Sequence, residues 1–306
     1  MSFKNIIASL LLATCGLASA GENVTIAYGF GPADTEAQTV RALIAEANKL
    51  QDKYTFSLDI KPGAGNSIAA NYALKTPNTM LATSSAFFVR PNIFPNESYP
   101  IAEFKEILPL AEDPIAVASS KYKSWKEVPT DVQITVGVSG LGVTTHVIAV
   151  QLATKYPKVK VVPYKSTTEA NLALVSGQLD IQIGFLGEEL PWVTNADTTK
   201  RVNILGLTGD KTVNGYPTLV SQGFPKSLAQ MNIPEHIVVA TTTPADKFTE
   251  WRSILFKAAT AQSVQETFHQ NFAMPMNSMS DSNIQPWYAK QTEHWKQMSS
   301  VVKMDQ

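Results

Sequence analysis

Ile134-Thr135-Val136-Gly137-Val138 runs directly into Ser139-Gly140-Leu141-Gly142-Val143-Thr144-Thr145-His146, after which helical spacing continues to Tyr156. A β-branched run, a turn of small residues and a helix make one strand-loop-helix unit. Units of the same kind stand on both sides. Downstream, Val159 to Val162 reads as a strand, Thr168 to Val175 as a helix and Leu179 to Ile183 as a strand, a second sheet of its own. Upstream come a strand from Val24 to Tyr28, a helix from Thr35 to Leu50 with Val40, Leu43, Ile44 and Ala47 on one face, and a strand from Tyr54 to Ile60. A turn at Pro62-Gly63-Ala64-Gly65, a helix from Ser67 to Leu74, a strand from Thr79 to Thr83 and one extended stretch from Ile107 to Ala118 complete that series. After Val202 to Leu207 and Ile237 to Thr241, the chain reads as mainly helix from Asp246 to Val302.

Such alternation predicts α/β architecture with mostly parallel sheets and helices on their faces. Two series without a flexible linker predict two lobes joined by more than one crossing, with a central cleft: residues 1–20 a signal peptide, 21–121 plus 237–306 the first lobe, 122–236 the second. Ligands in such sheets bind beyond the carboxyl ends of the strands. No internal repeat is visible, so solenoids are excluded.

The 306 residues are 44% hydrophobic and carry 25 basic against 26 acidic side chains, enough apolar content for a sizeable core and no basic field for a nucleic acid. Lys4, the apolar run Ile6 to Ala13 and Ala18-Ser19-Ala20 form a secretory signal, which predicts an exported, periplasmic mature chain. The single cysteine, Cys15, leaves with that signal and excludes a disulfide framework or a thiolate zinc site; lipidation at Cys15 is the alternative processing.

Three strand-to-helix loops carry the candidate chemistry: Gly29-Phe30-Gly31-Pro32-Ala33-Asp34, Ser139 to His146, and Lys165-Ser166-Thr167-Thr168. Glycine lets backbone approach a ligand, and the free N–H groups of a first helical turn suit an anion. Gly140-Leu141-Gly142 and Gly63-Ala64-Gly65 start like a dinucleotide fingerprint, but neither has the third glycine, and Val162-Pro163-Tyr164 stands where an acid should follow Gly140, so no cofactor is expected. Gly137-Val138-Ser139-Gly140 has Leu141 where a nucleophile elbow needs glycine; the hydrolase alternative would use Ser139 with His236 and Asp210. His146 is read as a helix-start residue bonded to its own loop, with a place on the cleft wall as the alternative; Asp34 as the cap of the first helix or, if it points inward, a charge that repels a carboxylate; and no histidine or carboxylate spacing supplies a metal site.

These motifs, with Val162-Pro163-Tyr164-Lys165, Gly177-Gln178-Leu179-Asp180-Ile181, Thr83-Ser84-Ser85 and Tyr216-Pro217-Thr218-Leu219, make the chain similar to the periplasmic receptors of tripartite tricarboxylate transporters, the Bug receptors. The resemblance implies a two-lobed type II periplasmic binding protein that captures a small organic acid, a di- or tricarboxylate or aromatic carboxylate, without catalysis. It also implies a monomer that delivers its cargo to integral membrane subunits; an orphan receptor feeding a sensor is the variant reading. Carried over, the ligand-binding residues are Phe30, Gly31, Pro32 and Ala33 in the first loop, Ser139, Gly140, Gly142, Val143, Thr144 and Thr145 in the second, and Ser166 and Thr167 opposite, with Tyr28, Ser84 and Gly184 beside them. Gly184 stands where relatives often have an aspartate, which argues against an amino-acid ligand. Phe87 and Phe185, with Tyr28 and Phe30, give the pocket its aromatic character.

Overall fold

The computed structural model describes residues 21–302; residues 1–20, where the signal peptide with Cys15 is expected, and residues 303–306 lie outside the described residues. The chain begins β1 (Glu22–Tyr28), α1 (Thr35–Lys49), β2 (Tyr54–Ile60), α2 (Ser67–Lys75), β3 (Thr79–Thr83), α3 (Ala86–Ile93) and β4 (Phe104–Asp113). It then runs through β5 (Ile115–Ser119), β6 (Ile134–Val138), α4 (Thr144–Leu152), β7 (Val159–Pro163), α5 (Thr167–Val175), β8 (Ile181–Phe185), α6 (Leu186–Val193) and β9 (Asn203–Leu207). The last elements are β10 (Ile233–Ala240), α7 (Ala245–Ala259), α8 (Gln262–Gln270), the short β11 (Met274–Pro275) and α9 (Asp281–Ser299).

The strands form two sheets, in the orders β11-β4-β10-β3-β1-β2 and β7-β6-β8-β5-β9. The architecture is two-lobed α/β, as the sequence predicts. Each sheet has a parallel heart, β2-β1-β3 and β7-β6-β8, but antiparallel strands join each. β10 lies antiparallel between β3 and β4, and β5 antiparallel between β8 and β9. All five residues of β3 and all eight of β10 are buried, the signature of strands covered on both faces.

Where chain crosses between sheets, the structure departs from the sequence reading. The stretch from Ile107 to Ala118 is not one strand: Pro114, without an N–H, separates β4 of the first sheet from β5 of the second. Residues 115–119 thus pair in the second sheet although they were assigned to the first lobe, and β10, read from Ile237, opens at Ile233 in the first. The first sheet therefore draws its strands from 22–113 and 233–275, the second from 115–207. The C-terminal region is broken by β11, which extends the edge of the first sheet. Helices α3 and α6 escape sequence detection because each contains a proline, Pro91 and Pro191. Pro91 cannot donate to the Phe87 carbonyl, and the Tyr99 hydroxyl donates to it instead at 3.0 Å. One apolar cluster, with Phe87, Phe88, Val117, Val136, Ile183 and Trp295, runs beneath both sheets.

Candidate functional site

The parallel strands of both sheets end at a common cavity. Its walls are Tyr28, Phe30 and Asp34 after β1, Glu36 on α1, Ser84 and Ala86 after β3, Ser139, Val143, Thr144 and Thr145 after β6, Thr167 after β7, Phe185 ending β8 and Ile233 opening β10. The cavity holds about 20 Å³, little more than one water needs.

Bridges between the lobes flank the cavity. On one side Ser85 Oγ lies 2.6 Å from Thr144 Oγ1, and Arg90 donates to the Leu141 carbonyl at 2.8 Å. On the other, Thr168 Oγ1 donates to Asp34 at 3.1 Å and Thr35 N–H donates to Glu188 Oε1 at 3.1 Å. Each is a contact that an opening motion must break.

The helix ends around the cavity are used differently. At α5, Ser166 Oγ accepts the Glu169 N–H at 3.2 Å, so Ser166 caps its own helix and stands behind the cavity wall. At α1, Asp34 occupies the cap position but its carboxylate turns back to accept the Gly31 N–H at 2.8 Å, while Glu188 takes the Thr35 N–H. The capping role expected of Asp34 is thus replaced by a loop-closing one. At α4, Val143 has no side-chain cap, and the first intrahelical bonds come from His146 and Val147. The N–H groups of Thr144 and Thr145 are therefore left without an intrahelical partner at the α4 end of the cavity. The loop before them is held by the Gly142 N–H, which donates to His146 Nδ1 at 3.1 Å, and by Ser139, whose N–H and Oγ both lie 3.1 Å from Thr145 Oγ1. His146 is the loop-bound helix-start residue expected of it, and burial holds its pKa below the ordinary value, consistent with a neutral acceptor ring.

Of the residues expected to bind ligand, Tyr28, Phe30, Ser84, Ser139, Val143, Thr144, Thr145 and Thr167 line this cavity together. Gly31, Pro32, Gly140, Gly142 and Ser166 shape its loops without facing it, and Ala33 faces a neighbouring crevice shared with Glu188 and Trp192. Gly184 lies behind the wall: a Cβ there would stand 2.4 Å from Thr167 and 2.9 Å from Glu189. Phe87 is a core residue, stacked on Tyr99 at 5.2 Å, and adds nothing to the aromatic wall.

Sequence reasoning missed the charge of the site. Asp34 and Glu36 are 3% and 1% exposed, and among the described residues no lysine, arginine or histidine lines the cavity. Glu36 sits in the first turn of α1, where an acid ordinarily complements the helix dipole in solvent, so nothing in the sequence marks it as buried. Behind it lie Glu188, Glu235 and Asp113. Burial, then Glu235 and Asp34, pushes the Glu36 carboxyl well above the ordinary range; burial takes Asp34 to about 6 and Glu235 to about 8. Two like charges 4 Å apart at an effective dielectric near 20 repel by ~4 kcal/mol, against the ~0.3–1 kcal/mol a helix N-terminus returns. Beside an ionised Glu36, a second carboxylate would therefore be disfavoured by more than a helix end returns. Among the described residues no group of three His, Cys, Asp or Glu is arranged to hold a metal ion.

The hydrolase alternative finds no support in this geometry. Ser139 Oγ neighbours Thr145, while His236 is bound to Glu106 at 2.7 Å and stacked against Phe88 in the core.

The family model for the tripartite tricarboxylate transporter family receptor matches residues 30–303. No curated protein is similar enough in sequence to match. Among solved structures, the periplasmic binding protein BugD superposes with a TM-score of 0.81 at 19% identity, over 92% of this chain and 99% of that one. MatC from Rhodopseudomonas palustris, solved with malate, gives 0.79 at 18% identity over 91% and 99%. An R. palustris protein solved with adipate gives 0.78 at 19% over 92% and 97%. At these identities the superpositions establish a shared fold.

Proposed function

The chain belongs to the tripartite tricarboxylate transporter receptor family, and on that premise we propose that it captures a small organic acid in the inter-lobe cavity and hands it to the membrane subunits of such a transporter. A periplasmic site of action follows from the family and from the signal-like residues 1–20. Among the described residues no helix is long and apolar enough to cross a membrane.

One observation carries the reading: hydroxyls and the α4 N-terminus from one lobe face aromatic side chains from the other across a cavity at the carboxyl ends of both parallel hearts. Lobes that close on a solute bury it between them, and the solute favours the closed state by binding that state better. The neighbours solved with malate and adipate support a carboxylate as cargo.

Thermal-shift titration of the purified mature protein against di- and tricarboxylates, aromatic acids, amino acids and sugars tests this. A bound acid at ~100 times its dissociation constant adds about 2.7 kcal/mol of stability. Ser139→Ala removes one hydroxyl from the wall and should weaken that acid by about 1 kcal/mol without unfolding the chain. No shift with any acid would overturn the proposal.

A further inference from the structure

The two ends of the cavity differ in sign. At the α4 end stand N–H groups and hydroxyls; at the α1 end both Glu36 oxygens are buried without a hydrogen-bond partner among the described residues. Around them the chain sets the Tyr28 phenol and no cation. Arg41 donates to the Pro32 carbonyl and Arg90 to the Leu141 carbonyl, both outside the cavity wall. The anion donors on the α1 side are already occupied, Gly31 N–H by Asp34 and Thr35 N–H by Glu188. A carboxylate arriving there would meet no cation. A cation would meet Glu36, Asp34 and the faces of Tyr28 and Phe30, whose rings stand 5.8 Å apart at 58°.

Resting on the receptor reading above, we propose that the cargo is an organic acid that also carries a protonated nitrogen, its ammonium group seated against Glu36 and its carboxylate against the N-terminus of α4. Glu36 then does what the aspartate absent at Gly184 would do, from the opposite lobe. The charged or titratable groups around it, Asp34 after β1, Tyr28 on β1, Asp113 on β4, Glu188 on α6 and Glu235 on β10, are all acids or phenol. An incoming ammonium is the charge that this surround lacks. Seating it ionises Glu36, so binding at neutral pH releases a proton; a Glu36 kept protonated to donate to a ligand carboxylate would release none.

Calorimetric titration of the mature protein at pH 7.5 with matched probes decides the matter: glutarate with 4-aminobutanoate, adipate with 5-aminopentanoate, glutarate with L-glutamate, and benzoate with 4-aminomethylbenzoate. In at least one pair the ammonium-bearing member should bind tenfold tighter or more, and repeating it in buffers of different ionisation enthalpy should show proton release. Glu36→Gln should abolish both the preference and the release while leaving the other member's affinity equal or higher. Dicarboxylates binding as tightly as their partners in every pair, or with proton uptake, would overturn this inference and leave the receptor reading intact. No binding by any probe acid would overturn both. The wild-type comparison and the sign of the proton count stand even if the variant fails to fold.

Discussion

Gly142 shows how a single residue supports the cavity without facing it. Its φ of +69° lies in the left-handed region, and an added Cβ would stand 2.5 Å from the Phe94 ring. That ring carries the Arg90 guanidinium at 4.0 Å, and Arg90 in turn holds the Leu141 carbonyl. Gly142→Ala should therefore cost at least ~1–2 kcal/mol from the backbone alone, read as a lower urea midpoint at unchanged slope. A neutral result would mean that the loop relaxes at little cost. Glu189 is the opposite case, a buried acid the loops do not use. Both its oxygens lack partners among the described residues, and burial pushes its carboxyl to about 8. Glu189→Gln should add about 1–3 kcal/mol of stability at pH 8 and far less at pH 5, by thermal denaturation at the two pH values.

At the scale of elements, helix ends decide which loops bind and which only build. Helix α5 is closed by its own Ser166, whose Cβ also packs where a side chain at Gly31 would come within 2.9 Å. Ser166→Ala keeps that packing and loses the cap, so it should cost about 1 kcal/mol of stability with ligand affinity unchanged. A large affinity loss without a stability loss would return Ser166 to the binding wall. The loop from Ser139 to Thr145 was legible because glycines, hydroxyls and a following helix lie within one short stretch. The crossing at Pro114 was not: Glu112-Asp113-Pro114 interrupts the apolar stretch, but a local break does not say that the chain changes sheets.

For the whole molecule, the buried acids set the pH response. Asp34, Glu36, Asp113, Glu188, Glu189 and Glu235 all bind protons more tightly folded than unfolded, chiefly through burial. Their stabilisation is fully present below the unfolded value, ~4, and is lost as pH rises through the folded values, about 6 for Asp34 and about 8 for Glu189 and Glu235. Surface carboxylates held low by partners, Glu250 by Lys53 and Asp281 by Arg252, act in the other direction: their contribution is present above the unfolded value, ~4, and is lost as pH falls below it. Stability should therefore peak near pH ~5 and decline toward pH 8, which a series of melting curves would show. A curve rising monotonically from pH 5 to 8 would mean that these acids are better solvated than their burial indicates.

By itself the sequence determined two α/β series, their glycine and hydroxyl loops and a resemblance to acid receptors, because strand-loop-helix periodicity and loop composition are local properties of the chain. The sign of the cavity was left to the tertiary structure. Asp34 and Glu36 look like ordinary acids at the start of an exposed helix, and only the docking of α6 and β10 brings Glu188 and Glu235 behind them and removes the water that would have screened them.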